Sequence, residues 1–78
     1  MAGLRDLPLD TCERHIRAFG RFGWKETRRT GGHAILEKRG HPATLSIPCS
    51  SRPVKRKLLK ALLDLAGISI DDYRKKFR

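Results

Sequence analysis

Acidic side chains are scarce in this sequence. Eight Asp and Glu stand against eighteen Lys and Arg, a formal charge of +10 over 78 residues. That shortage argues against a metal centre built from carboxylates. The adjacent acids Asp71 and Asp72 fall in the first turn of an expected helix, where they complement the helix dipole. Cysteine is limited to Cys12 and Cys49. Cys12-x-x-His15 has the form of half a zinc site, but His33, His41 and Cys49 lack the paired spacing of the other half. No metal or other cofactor is therefore expected. The two cysteines could form one disulfide, but nothing in the sequence requires it, and reduced thiols are expected, as in a cytosolic chain. Long apolar runs are missing too. No stretch approaches the roughly 20 residues of a membrane span. Met1–Leu9 lacks the continuous apolar core of a signal peptide. The expectation is a cytoplasmic protein without a membrane role.

What the chain does have is positive charge and room for one core. A chain this short folds as one small domain, with a shallow surface site rather than a deep pocket for a large cofactor. The charge calls for a polyanionic partner, nucleic acid first and an acidic membrane surface second. The membrane reading is the weaker one, because the basic residues are spread along the whole chain.

The order of elements can be read from the pattern. Residues 1–9 form a lead-in, and residues 10–78 form a single domain. Asp10-x-x-Glu13 has the form of a capping box, opening a helix over about 11–22. Its apolar stripe is Cys12, Ile16 and Phe19, with Ala18 or Phe22; His15 sits beside it in a half-buried structural position. Gly23 stops the helix. Trp24 then begins a strand to Arg29, anchoring the core, with Thr27 facing inward as well. A second strand runs over 33–38 and a third over 43–47, the latter alternating Ala43, Leu45 and Ile47 with Thr44 and Ser46. His41 falls on the loop between them, solvated.

A second helix is expected over about 54–66, with Leu58, Leu59, Leu62, Leu63, Leu65 and Ala66 as a wide apolar stripe and Gly67 as its stop. Lys55, Arg56, Lys57 and Lys60 cluster at its start, where the dipole disfavours cations. That placement points to an anion or to plain solvation. Ser69-x-x-Asp72 caps a last helix over about 70–77, which turns Ile70, Tyr73 and Phe77 inward. The fold class is α+β. A three-stranded antiparallel meander is covered by helices on one face in the order α-β-β-β-α-α, and the other face is open.

Gly31-Gly32-His33 is the stretch around which the chain is organised. Two glycines suit a tight hairpin turn, because they adopt φ > 0 without steric cost. Alternation along the next strand sends Ala34 and Leu36 to the core and His33, Ile35 and Glu37 to the open face. Basic residues flank it in sequence: Lys25, Arg28 and Arg29 before, Lys38 and Arg39 after. An imidazole among cations is suited to acid–base chemistry on a phosphodiester. It is equally an ordinary surface histidine in appearance.

These residues, in this order, resemble the HicA-type toxins of bacterial toxin–antitoxin modules. The resemblance covers about residues 10–77. It is carried by Gly23-Trp24 after a short amphipathic helix, Arg28, Gly31-Gly32-His33, Ile47-Pro48, and the Leu-rich helix with Leu59, Leu62 and Leu63 closed by Ala66-Gly67-Ile68. Gly32 stands where the motif has a hydroxyl residue, Cys49 where many members have a second histidine, and Lys57-Leu58 where Gly-Thr is often found. The resemblance implies a fold like that of double-stranded-RNA-binding domains (dsRBD-like). It also implies cleavage of messenger RNA with His33 as catalytic residue, and neutralisation by a HicB-type antitoxin protein.

The implied reaction needs no cofactor, because RNA supplies its own 2′-hydroxyl nucleophile. His33 is the candidate general base, and Arg28, Arg29 or Lys38 are candidates to steady charge on the phosphate. The wider RNA-binding set is Lys25, Arg28, Arg29, Lys38, Arg39, Lys55, Arg56 and Lys57. Two other readings fit the same charge: a module that binds RNA without cutting it, and a small interaction protein whose basic helices dock an acidic partner.

Overall fold

The computed structural model describes residues 2–77. Three helices and a three-stranded antiparallel sheet follow in the expected order. They are α1 (Cys12–Gly20), β1 (Trp24–Thr30), β2 (His33–Lys38), β3 (Thr44–Pro48), α2 (Arg56–Ala66) and α3 (Ile70–Lys76). The sheet order is β1-β2-β3. Helices pack on one face against a core that includes Phe19, Trp24, Ala34, Leu36, Leu45, Ile47, Leu59, Leu63 and Tyr73. Each buried Leu contributes roughly 1.5–3 kcal/mol.

The segment before α1 takes part in this packing. It makes one 3-10 turn over Leu4–Asp6, and Leu7 is buried in the core. Arg56 Nε donates to the Leu7 carbonyl at 2.7 Å, and the Val54 N–H donates to the Asp10 carbonyl at 2.9 Å. Lys55 is the extended N-cap, so α2 starts at Arg56 rather than at Val54, whose N–H is bonded to Asp10.

Several expectations are corrected. The N-cap of α1 is Thr11, whose hydroxyl accepts from the Arg14 N–H, while Asp10 accepts from the Thr11 N–H at 2.7 Å. Thr27 does not face the core. A bulge between Glu26 and Arg28 turns it outward, where its hydroxyl donates to the Glu37 carboxylate at 2.8 Å. The stripe of α2 is narrower than expected. Leu59, Leu62, Leu63 and Ala66 are buried, whereas Leu58 and Leu65 lie on the flank, 38% and 50% exposed.

Cys12 and Cys49 are not free thiols. They form a disulfide, with Cα atoms 5.1 Å apart, that ties the start of α1 to the residue after β3. Sequence spacing could not show this, because 37 positions separate the two cysteines. Only the stacking of α1 on the sheet brings them together.

His15 is fully buried, and its Nδ1 lies 2.6 Å from the Tyr73 hydroxyl. Phe19, Phe22 and Phe77 surround the Tyr73 ring at 5.2–6.2 Å, which docks α3 on α1. His41 is half-buried rather than solvated. Its Nδ1 accepts from the Ala43 N–H at 3.1 Å and its ring lies 4.9 Å from that of Trp24.

Candidate nucleic-acid interface

The Gly31-Gly32 turn joins β1 to β2 as a two-residue hairpin, with Thr30 paired to His33. Both glycines have positive φ, +55° and +78°, the pattern of a turn whose twist matches its strands. Alternation from that turn sorts the faces. Ala34 and Leu36 are fully buried, and His33 and Glu37 are exposed on the other side.

The register builds the open face in rows. Thr30, His33 and Pro48 form one row; Arg28, Ile35 and Ser46 the next; Lys25, Glu37 and Thr44 a third. Diagonal neighbours in adjacent rows on one face lie roughly 7–8 Å apart, within reach of long side chains. Arg28 is thus the cation that the register brings nearest to His33. Thr30 and Ser46 supply hydroxyls on the same face. Thr30 was not singled out from the sequence, although a two-residue turn at Gly31-Gly32 requires it to pair with His33.

The imidazole is oriented by its own turn. His33 Nδ1 lies 3.2 Å from the Gly31 carbonyl oxygen. A carbonyl can only accept, so in the neutral ring this contact places the proton on Nδ1 and the lone pair on Nε2. The turn is in turn fixed from β3, since the Cys49 N–H donates to the Gly32 carbonyl at 2.7 Å.

The other expected cations are not gathered around His33. Arg29 points to the helical side, where it bonds Glu26 at 2.7 and 3.1 Å and Glu13 of α1 at 2.8 Å. The guanidinium holds the Glu26 carboxyl below its usual range, and the two carboxylates push Arg29 up in return. Lys38 and Arg39 lie at the far end of β2, roughly 17 Å along the strand from His33. The stem of Lys38 lies over Gly23. Lys55 and Lys57 are exposed at the start of α2, in the helical layer, and Arg56 is committed to the Leu7 carbonyl. Neighbourhood in sequence was a poor guide, because β2 carries its two ends apart.

The half zinc site is not assembled. His15 turns into the aromatic cluster, away from Cys12. Among the described residues, Cys12, Glu13 and Cys49 bring ligand atoms within 4.8 Å of one another. With their sulfurs bonded to each other, the cysteines have no thiolate to offer a metal. No helix among the described residues is long and apolar enough to cross a membrane.

The fold and this open, hydroxyl- and arginine-bearing sheet face define a small basic α+β domain of dsRBD-like element order. A family model, HicA toxin of bacterial toxin-antitoxin, matches residues 12–68, from the start of α1 through the end of α2. The chain belongs to the HicA toxin family, whose members act in toxin–antitoxin pairs. No curated protein and no solved structure matches the chain.

Proposed function

We propose that this protein is a metal-independent endoribonuclease toxin acting on messenger RNA in the cytoplasm, with a single catalytic histidine, His33, and a HicB-type antitoxin as its neutralising partner. The observation that carries the proposal is the exposed His33 ring, with Nδ1 held at the Gly31 carbonyl and Nε2 free, one row from Arg28. RNA laid on the open face presents a ribose 2′-hydroxyl to Nε2. His33 takes that proton as the 2′-oxygen attacks phosphorus. The 5′-oxygen leaves and is protonated by water, and the product ends in a 2′,3′-cyclic phosphate. Arg28 holds the non-bridging oxygens, where negative charge accumulates. Lys25 extends the cationic track two rows away.

General base help contributes about 10²–10⁴-fold, so a lone histidine makes a slow enzyme. Slow cutting is sufficient for a toxin, because each message needs to be cut once. The flat site also suits a long substrate better than a small molecule. Lys55 and Lys57 would meet phosphates only if the strand wraps past the edge of β3 towards α2.

The test is to incubate the purified chain with RNA in EDTA and assay the ends of any fragments. Fragments with cyclic phosphate ends are expected. Intact RNA with binding retained would leave a module that binds without cutting.

A further inference from the structure

Cys49 joins three links that meet at the catalytic hairpin. Its Sγ is bonded to Cys12, the first residue of α1. Its N–H donates to the Gly32 carbonyl at 2.7 Å. Its chain neighbour Pro48 is the cross-strand partner of His33. The disulfide therefore ties the helical layer covalently to residue 49, and residue 49 is hydrogen-bonded to the turn that orients the imidazole. A second tie runs alongside, the ion pair of Glu13 with Arg29 at 2.8 Å. That pair is exposed and screened by salt, so it cannot replace the covalent bond.

We propose that Cys12–Cys49 is a reversible thiol–disulfide site whose state sets the order of the His33 hairpin, opened by a dithiol and closed by a low-molecular-weight disulfide. Its effect on cleavage rests on His33 being the reacting group; its effect on the hairpin does not.

The two sulfurs are unequal in a way that suits exchange. Cys12 is 5% exposed, whereas Cys49 is half-buried at the head of a loop whose residues 50–53 are exposed. An incoming thiolate therefore attacks Cys49 Sγ, and Cys12 Sγ leaves. The leaving thiolate lies at the N-terminus of α1, where the helix dipole favours negative charge. Glu13 Oε1 is 3.7 Å from that sulfur, but its charge is compensated by Arg29. The second thiol of the reductant then displaces Cys49 from the mixed disulfide. Two electrons and two protons pass to the cysteines, and the reductant departs as its own disulfide. Closing is the reverse, with glutathione disulfide as oxidant and two glutathione thiols as products.

The closed form holds residue 49 against Gly32 and so keeps His33 Nδ1 at the Gly31 carbonyl. In the open form residue 49 is restrained only by the sheet edge and the loop. The test uses the full chain, oxidised with glutathione disulfide and then reduced with dithiothreitol. Hydrogen exchange at the Cys49 amide and the line widths of the His33 ring are followed by NMR, with RNA cleavage measured in parallel. Reduction is expected to speed exchange at the Cys49 amide by about tenfold or more, broaden the His33 ring signals and slow cleavage. The Cys49→Ser variant should match the reduced form and ignore dithiothreitol. Thiols that stay free in glutathione disulfide, or a hairpin equally ordered in both states, would overturn the proposal. If neither state cuts RNA while the hairpin still responds, the nuclease reading fails and the redox site stands.

Discussion

His15 Nδ1 meets the Tyr73 hydroxyl at 2.6 Å in the interior, joining α1 to α3. Its Nε2 is buried with no partner among the described residues. Burial, with the charge of Arg14 adding to it, lowers its pKa from 6.5 to about 4, and nearby Asp10 offsets part of that. The unfolded chain therefore takes up the proton first. The contribution to stability is complete above pH 6.5 and is lost as pH falls towards 4, by about 3 kcal/mol at the lower end. Urea denaturation at pH 7 and pH 4 should show this loss in the native chain. It should be much reduced when both partners are replaced, as in His15→Phe with Tyr73→Phe.

The disulfide closes a separation of 37 residues. A loop of that length implies about 4 kcal/mol of stabilisation through the unfolded state. Cys12→Ala is expected to lower the unfolding free energy by about that amount, measured by guanidinium denaturation without reductant. In dithiothreitol the native chain and the variant should converge.

Gly32→Ser restores the hydroxyl found at this place in the motif, yet it should destabilise the hairpin. The space is open, since an added Cβ would meet only the Cys49 carbonyl oxygen at 4.0 Å. The backbone is the obstacle. A φ of +78° costs a side-chain-bearing residue roughly 1–2 kcal/mol. Thermal unfolding compared with the native chain measures the difference.

Arg28 and Arg29 are neighbours in sequence with opposite fates. Arg28→Ala should weaken RNA binding and reduce the log–log salt slope by about one, leaving stability unchanged. Arg29→Ala should leave the salt slope in place and cause a small loss of stability, because its charge is spent on Glu13 and Glu26. Equal effects on RNA from both would mean that the faces are assigned wrongly.

The strands were legible because alternation and turn chemistry are local. Gly31-Gly32 announced the hairpin, and Ala34, Leu36, Leu45 and Ile47 announced the buried face. The ends of α1 and α2 were less legible. Thr11 outcompeted Asp10 as cap, and Val54 lies outside α2 with its N–H bonded to Asp10. Long-range pairings were the least legible. The Cys12–Cys49 bond, the burial of His15 against Tyr73 and the diversion of Arg29 to Glu13 all depend on how layers stack. Thr27 was misplaced because one bulge residue reverses the alternation that the rest of β1 obeys. At the candidate site, the alternation of β2 put His33 on the open face, and the register sets Arg28 one row away on that face. Lys38 is close to His33 along the chain but lies at the opposite end of β2.

The most direct measurement is cleavage of a defined RNA by the native chain and by His33→Ala, with binding of the same RNA measured on both. The substitution is expected to lower the rate by about 10²–10⁴-fold while the affinity and the fold stay as they were. A variant that cuts as fast as the native chain would contradict it, and would move the chemistry away from the glycine turn altogether.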